Sequence, residues 1–145
     1  MQSMKFQPVQ YTDLNSRQQE TYNFQKIAGV LADYGFSSIR LSDDWNGADF
    51  IAQHIDGQTF LKVQLKGRLS FHKKYINKGL WLCFMHGSEV ILYPHDLTLA
   101  KFAKDGRIVD TESWKGKGQY HFPSLGTDVL ALIEEYRIRP VQAFG

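Results

Sequence analysis

The chain has 145 residues, of which 43% are hydrophobic and 22% are charged. These proportions exclude a disordered or collagen-like chain, and the length favours a single domain over residues 1–145. No apolar stretch approaches the roughly 20 residues that cross a bilayer, and residues 1–10 lack the apolar segment of a signal peptide. We therefore expect a cytoplasmic protein without membrane contact. The lone cysteine, Cys83, lies in an apolar run, which excludes an intrachain disulfide and favours a buried thiol.

Positive charge is concentrated in one part of the chain. Residues 57–88 contain six Lys or Arg residues and no Asp or Glu, so the remainder, with 11 basic and 15 acidic residues, carries −4. The six are Lys62, Lys66, Arg68, Lys73, Lys74 and Lys78. A local positive field favours a polyanionic partner, but a solvated surface loop has the same composition.

The first half of the chain contains a predicted helix. Residues 1–14 show no clear period and are interpreted as an arm or edge element. Residues 15–35 predict a helix capped by Asn15 or Ser16, with Gln19 completing a capping box and Gly35 ending it. An apolar stripe at spacings of three and four predicts the face that packs on the core, and Glu20 lies at its upstream end.

Two hairpins are predicted next. A short strand at 37–42 precedes a turn-rich segment at 43–47. Residues 48–54 and 59–66 flank Asp56-Gly57, a dipeptide typical of two-residue turns in which both residues take positive φ. Residues 80–85 and 89–94 flank the turn 86–88. The sheet therefore has about five strands.

The last third of the chain is predicted to contain two helices. Residues 95–104 suit a short helix, and 127–137 suit a C-terminal amphipathic helix capped by Thr127. Residues 105–126 are turn-rich and are interpreted as an irregular loop, which leaves 15–104 as the core. The predicted fold class is α/β (α+β), with a mixed, largely antiparallel central sheet and the N- and C-terminal helices packed on it.

The first hairpin brings polar residues to one face of the sheet. In the register that the turn sets, Asp49 lies opposite Gln64, and Lys66 shares their face. The other face carries apolar residues such as Phe50 and Val63, whose burial supports this register.

This arrangement suits phosphodiester cleavage. Asp49 and Gln64 present oxygen ligands to a divalent cation, Mg²⁺ or Mn²⁺, which completes its coordination with water and phosphate. The metal lowers the pKa of a bound water, and the Lys66 ammonium orients that water or stabilises charge on the phosphorus. If the first helix packs over this sheet, Glu20 enters the site as an outer carboxylate.

The blocks G-A-D-F-I and K-V-Q-L-K, preceded by a helix with a glutamate, resemble the PD-(D/E)xK nuclease superfamily over roughly residues 16–68. The resemblance implies a restriction-endonuclease-like fold and metal-dependent cleavage of DNA or RNA. It implies that Asp49, Lys66 and Glu20 match the superfamily's Asp, Lys and first-helix Glu.

Two features depart from that superfamily. Gln64 stands where Asp or Glu is usual, which removes a charge and lowers metal affinity. No helix is evident after the third strand, so the fold is expected to be a variant. Residues 22–36, 42–52 and 60–68 also resemble a bacterial family of small proteins of uncharacterised role, which implies no activity.

Basic and aromatic residues alternate after Lys66. The residues assigned to nucleic-acid binding are Arg68, His72, Lys73, Lys74 and Lys78. Phe71 and Tyr75 lie among them and suit base stacking.

Three classes of function remain open. The first is a metal-dependent nuclease, for which cutting both strands of a duplex favours a homodimer. The second is a catalytically inactive nuclease-like domain that binds nucleic acid or a partner protein, which the missing carboxylate favours. The third is a sheet-edge interaction module whose basic loop is only solvated, with Asp49 and Lys66 forming an exposed ion pair of little energetic value.

Overall fold

The structure, a computed structural model, describes residues 5–45 and 47–141, without the side chains of residues 44 and 45. Its strands are β1 (Phe36–Trp45), β2 (Ala48–His54), β3 (Phe60–Leu65), β4 (Ser70–His72), β5 (Leu80–His86), β6 (Glu89–Pro94), β7 (Gln119–His121) and β8 (Arg137–Ile138). Its helices are α1 (Ser16–Ala32), α2 (His95–Lys104), α3 (Glu112–Lys117) and α4 (Thr127–Leu132). Short 3-10 turns occur at Tyr11–Asp13, Lys73–Tyr75 and Glu134–Tyr136. Among the described residues, no helix is both long and apolar enough to cross a membrane.

The described strands form a six-stranded mixed sheet and a small two-stranded sheet. The large sheet has the order β1, β2, β3, β5, β6, β8, and β4 pairs with β7. Its neighbouring strands are antiparallel except β3 and β5, which are parallel. Helix α1 packs on one face through Ile27 and Leu31, while α2, α3, α4 and the small sheet pack on the other. The predicted α+β class and largely antiparallel sheet are confirmed, with six strands instead of five.

The hairpin of β2 and β3 has the predicted register but a different turn. Phe50 pairs with Val63, as expected. Gly57 has a positive φ of 71°, but Asp56 does not, so the predicted two-residue turn is wrong. The Asp56 carboxylate instead accepts hydrogen bonds from the Thr59 hydroxyl and backbone N–H and from the Gln58 N–H, which lower the pKa of Asp56 to about 2. The loop covers residues 55–58 instead of 56–57. Both loops are centred between Asp56 and Gly57, so the same residues of β2 and β3 lie opposite each other.

The start of α1 corrects the predicted cap. Asn15 is the N-cap, and its side chain accepts the Gln18 N–H at 2.9 Å. The Gln18 side chain in turn accepts the Asn15 N–H at 2.9 Å, so this pair forms the capping box and the predicted pairing of Ser16 with Gln19 is wrong. Gly35, with φ of 86°, follows the helix end as predicted.

The segment 105–126 is not an irregular loop, because it contains α3 and β7. Thr111 caps α3 by accepting the Trp114 N–H, and Gly118 ends the helix with φ of 71°. Trp114 is buried, so this short helix covers part of the core. The segment 43–45 likewise belongs to β1 and not to a turn.

The predicted C-terminal helix is shorter than expected. It ends at Leu132, and Gly126 rather than Thr127 is its N-cap. The chain then turns so that β8 can pair with Val90 and Ile91 of β6. Residues 133–137, which the sequence predicted as part of the helix, therefore lie outside it.

The crossover from β3 to β5, residues 66–79, is held against the core without an α-helix. Its side chains Leu69, Phe71 and Tyr75 are buried. His95 Nε2 accepts the His72 N–H at 3.1 Å, so the neutral His95 ring carries its proton on Nδ1 and donates it to Asp96 Oδ1 at 2.8 Å. The other Asp96 oxygen accepts the Asn77 N–H at 2.8 Å.

This buried histidine makes folding stability depend on pH. Burial lowers the pKa of His95 below 6.5, although the hydrogen bond to Asp96 partly opposes the shift. The unfolded chain therefore binds the proton more tightly, and stability is fully present above pH 6.5 and is lost as pH falls. We expect urea unfolding to show a falling free energy from pH 7 to pH 5.

The matched variants are His95→Gln, which should flatten that pH dependence, and His86→Gln, which alters an exposed histidine. An unchanged slope in His95→Gln would show that other groups produce the acid sensitivity.

Candidate active site

The candidate site lies at the end of the sheet where β2 begins and β3 ends. Because these strands are antiparallel, the register that pairs Phe50 with Val63 places Asp49 opposite Gln64 at the next position. Gly47, with φ of 87°, precedes β2, and a Cβ there would lie 2.9 Å from Leu80 Cδ1. The positive φ favours glycine at this position, and any side chain would also have to displace Leu80.

The Asp49 carboxylate is oriented by the backbone of β3. Asp49 Oδ2 accepts the Leu65 N–H at 2.8 Å, and both residues are half-buried. The Gln64 amide nitrogen lies 3.4 Å from the Leu65 carbonyl oxygen, a long and weak contact. The Asp49 carboxylate is thus fixed at the C-terminal end of β3, beside the side chain of its neighbour Gln64.

Lys66 directly follows β3 and is also half-buried. Its N–H donates to the Cys83 carbonyl at 2.8 Å, which extends the β3–β5 pairing by one residue. Its ammonium lies 5.0 Å from the centroid of the Tyr75 ring, a cation–π contact. Burial lowers the pKa of Lys66, and the Asp49 carboxylate opposes part of that shift. Asp49 and Lys66 are both half-buried, so they do not form the exposed pair that was one interpretation of the sequence.

A cavity of about 650 Å³ opens at this end of the sheet. Its lining includes all four side chains that the sequence assigned to catalysis, namely Glu20, Asp49, Gln64 and Lys66. Glu20 lies on α1, which packs on the face of the sheet that carries Phe50, and it lines the cavity from that side. Residues separated by up to 46 positions in the chain therefore face one space.

Sequence reasoning missed several polar residues in this cavity, most notably Arg40. Arg40 Nη1 donates to Thr21 Oγ1 at 2.7 Å, and its guanidinium lies 5.7 Å from the Phe24 ring centroid. The signal was present in the strand alternation, because Arg40 pairs with Phe50 and so lies on the face that α1 covers. Arg17 and Asn23 of α1 also line the cavity.

The residues assigned to nucleic-acid binding lie on the crossover, and none of them lines the cavity. Arg68, Lys73, Lys74 and Lys78 are exposed, and His72 is half-buried. Lys73 lies 5.5 Å from the Trp114 ring centroid, and Lys74 lies 5.2 Å from that of Tyr75. His72 Nδ1 accepts the Lys74 N–H at 3.0 Å, and burial is the main cause that lowers the pKa of His72.

Phe71 and Tyr75 are not base-stacking residues. Phe71 is 0% exposed and Tyr75 is 3% exposed, so neither ring can reach a nucleobase. Phe71 packs instead against Tyr93, His95 and Phe102. Local composition could not reveal this, because the residues that cover these rings come from distant elements.

The donor set at Asp49 and Gln64 provides oxygen ligands but little charge. Within the part of the chain that the structure describes, no group of three His, Cys, Asp or Glu side chains is placed to hold a metal ion. One carboxylate and one amide fit a Mg²⁺ that retains waters and takes further ligands from a substrate phosphate. They do not fit a cation held by protein ligands alone.

Comparison with known proteins gives a distant similarity in structure. No family model and no curated protein sequence matches the chain. Among solved structures, the chain is similar to Hjc, a Holliday junction resolvase from the archaeal hyperthermophile Archaeoglobus fulgidus. The similarity covers 53% of this chain and 73% of the resolvase chain, with 14% sequence identity and a TM-score of 0.42.

The hydrogen bond between Asp49 and Leu65 predicts different stabilities for two variants. Asp49→Asn retains an oxygen that can accept the Leu65 N–H, so its unfolding free energy should stay close to the wild-type value. Asp49→Ala leaves that half-buried N–H without its partner and should cost about 1–3 kcal/mol. Urea unfolding of both variants measures the difference, and equal stabilities would contradict a structural role for this bond.

Proposed function

We propose that the protein is a divalent-metal-dependent nuclease that hydrolyses phosphodiester bonds of DNA or RNA. The observation that carries this proposal is the convergence of Glu20, Asp49, Gln64 and Lys66 on one cavity at the edge of the sheet. A carboxylate, an amide oxygen and a half-buried ammonium in one cavity suit a phosphate group bound through a cation.

The metal, bound by Asp49 and Gln64 together with the substrate phosphate, would lower the pKa of a water and neutralise phosphate charge. Asp49 is suited to this role because its second oxygen is fixed by the Leu65 N–H, which limits the reorganisation that binding requires. Gln64 contributes an oxygen dipole without charge, so the site gains full affinity only when phosphate is present.

The remaining side chains bind and orient the reacting groups. Lys66, held over Tyr75, donates hydrogen bonds to a non-bridging phosphate oxygen and stabilises the negative charge that develops on it. Glu20 accepts a hydrogen bond from the attacking water on the α1 side of the cavity. Arg40, fixed by Thr21, adds a second cation that binds the phosphate backbone.

The exposed residues Arg68, Lys73, Lys74 and Lys78 extend this positive surface along the crossover. They contact backbone phosphates on either side of the cleaved bond, which fixes the position of the strand without reading its sequence. His72 lies within the same surface. Nucleic acid is therefore the proposed partner, and a homodimer would place two such cavities on a duplex.

Metal binding gives a direct test of the ligand positions. Calorimetric titration of Mn²⁺ and Mg²⁺ should show weak binding to the wild type and none to Asp49→Asn. Gln64→Glu restores a charged ligand and should bind Mn²⁺ about tenfold or more tightly. An unaltered titration in Gln64→Glu would show that this side chain is not a ligand.

Cleavage tests the catalytic roles. Asp49→Asn and Lys66→Ala should each reduce Mn²⁺-dependent hydrolysis of nucleic acid by about a hundredfold or more, because each removes an interaction with the charge of the transition state. Thermal unfolding serves as the control, and Asp49→Asn should melt within a few degrees of the wild type. Full activity in either purified variant would overturn the assignment of this cavity as the active site.

A second function is favoured by one observation, namely that the described residues provide no cluster of three acidic, His or Cys metal ligands. A catalytically inactive domain that binds nucleic acid would retain the basic surface and need no metal. Its affinity should fall steeply with salt and be unaffected by EDTA.

Salt dependence also locates the binding surface. Lys73→Ala should reduce the slope of log affinity against log salt by about 1, because one phosphate contact is lost. Lys104→Ala removes an exposed lysine at the end of α2, outside the basic segment, and should leave the slope unchanged. Equal slopes for all three proteins would place nucleic-acid binding elsewhere.

A further inference from the structure

A second cavity, of about 300 Å³, adjoins the candidate active site. Gly67 and Met85 line both cavities, so the two spaces adjoin at the residue that follows Lys66 and at the end of β5. A ligand bound in the first cavity therefore lies next to the second.

The lining of the second cavity differs from that of the first. Its accessible apolar members are Met85 and Leu125, which are half-buried, and Pro123, which is exposed. Leu69, Phe84 and Phe122 also line it but are buried. Its exposed members include Arg68, His86 and Ser124, which form its rim. None of its lining residues is acidic. Apolar surface next to the Arg68 guanidinium fits a flat heterocycle that is attached to a phosphate.

Positive charge is concentrated where the two cavities meet. Lys66 lines the first cavity and Arg68 lines the second. The charges of both residues contribute to lowering the pKa of His121, after the larger effect of burial. Glu89, which pairs with His86 across the hairpin, is bound by Arg137 and Arg139, so its charge is already compensated.

We propose that the second cavity binds an unpaired nucleobase next to the cleaved phosphate, so that the substrate is single-stranded nucleic acid or a strand with an unpaired nucleotide. This inference rests on the proposed function for the identity of the first cavity. In a duplex the base is stacked and paired, and entry into a side cavity would require its extrusion at a cost of a few kcal/mol. A single strand has no such cost, and contact of a base with an apolar surface favours its binding.

The test uses a tryptophan to fill the second cavity. Ser124 is exposed, lines the second cavity and does not line the first, so Ser124→Trp should fold normally. Ser88→Trp is the matched control, because Ser88 is exposed on the β5–β6 turn and lines neither cavity. Fluorescence anisotropy in EDTA compares binding of a labelled single strand, as DNA and as RNA, with the corresponding duplex.

The wild type and Ser88→Trp should bind the single strand more tightly than the duplex. Ser124→Trp should bind the single strand about tenfold more weakly, with duplex binding unchanged. Equal losses for single strand and duplex, or no loss at all, would overturn the proposal.

A second measurement separates the base from the phosphate. Methyl NMR spectra of the wild type are recorded with deoxyadenosine monophosphate and with deoxyribose 5-phosphate, which lacks the base. The nucleotide should shift the signal of Leu125, which lines the second cavity and not the first. The sugar phosphate should not, and equal shifts with both compounds would overturn the role of the base.

The proposed function is tested independently by hydrolysis of bis(4-nitrophenyl) phosphate, compared between the wild type and Asp49→Asn in Mn²⁺. Absence of this activity overturns the nuclease assignment, whereas the binding data in EDTA decide the second cavity. A protein that binds single strands through the second cavity but hydrolyses no ester would retain the inference and lose the nuclease function.

Discussion

The register between β2 and β3 is the constraint on which the candidate site depends. It is maintained by burial, because Phe50, Ala52 and Val63 are fully covered on the face that α1 packs against. A slip of one residue would bring these side chains into water and turn Asp49 toward the core. The energy that fixes the position of the polar residues therefore comes from apolar neighbours on the other side of the same strands.

The crossover between β3 and β5 adds the second half of the site. A parallel pair requires a long connection, and here that connection is fixed by buried Phe71 and Tyr75 and by hydrogen bonds to His95 and Asp96. The same segment presents its lysines and arginine to solvent. A single stretch of chain thus supplies core residues and a cationic surface, and Tyr75 connects the two roles because its ring lies beneath Lys66.

The two adjoining cavities at this end of the sheet differ in the chemistry of their linings. The first contains acidic, amide and cationic groups, whereas the second is lined mainly by apolar residues together with Arg68. Gly67 lines both cavities and presents no side chain to either. A nucleotide that places its phosphate in one cavity and its base in the other would use both environments.

The sequence by itself determined the elements that depend on local patterns. The alternation in 48–54 and 59–66 predicted the hairpin and its register, the bounds of α2 were predicted without error, and Cys83 is buried as expected. These features follow from strand alternation and helix signals within a few residues of one another. The candidate residues Asp49, Gln64 and Lys66 were found because they lie within that same hairpin.

Only the tertiary structure decided which residues face the site and which fill the core. Phe71 and Tyr75 lie in a lysine-rich segment whose composition is typical of a solvent-exposed loop. Packing against distant elements nevertheless buries both rings. The C-terminal helix stops at Leu132 because β8 gains a strand partner in β6 that no local pattern encodes. Arg40 enters the first cavity because α1 and β1 meet there. In each case the deciding free energy comes from contacts between residues far apart in the chain, which a local reading of the sequence does not contain.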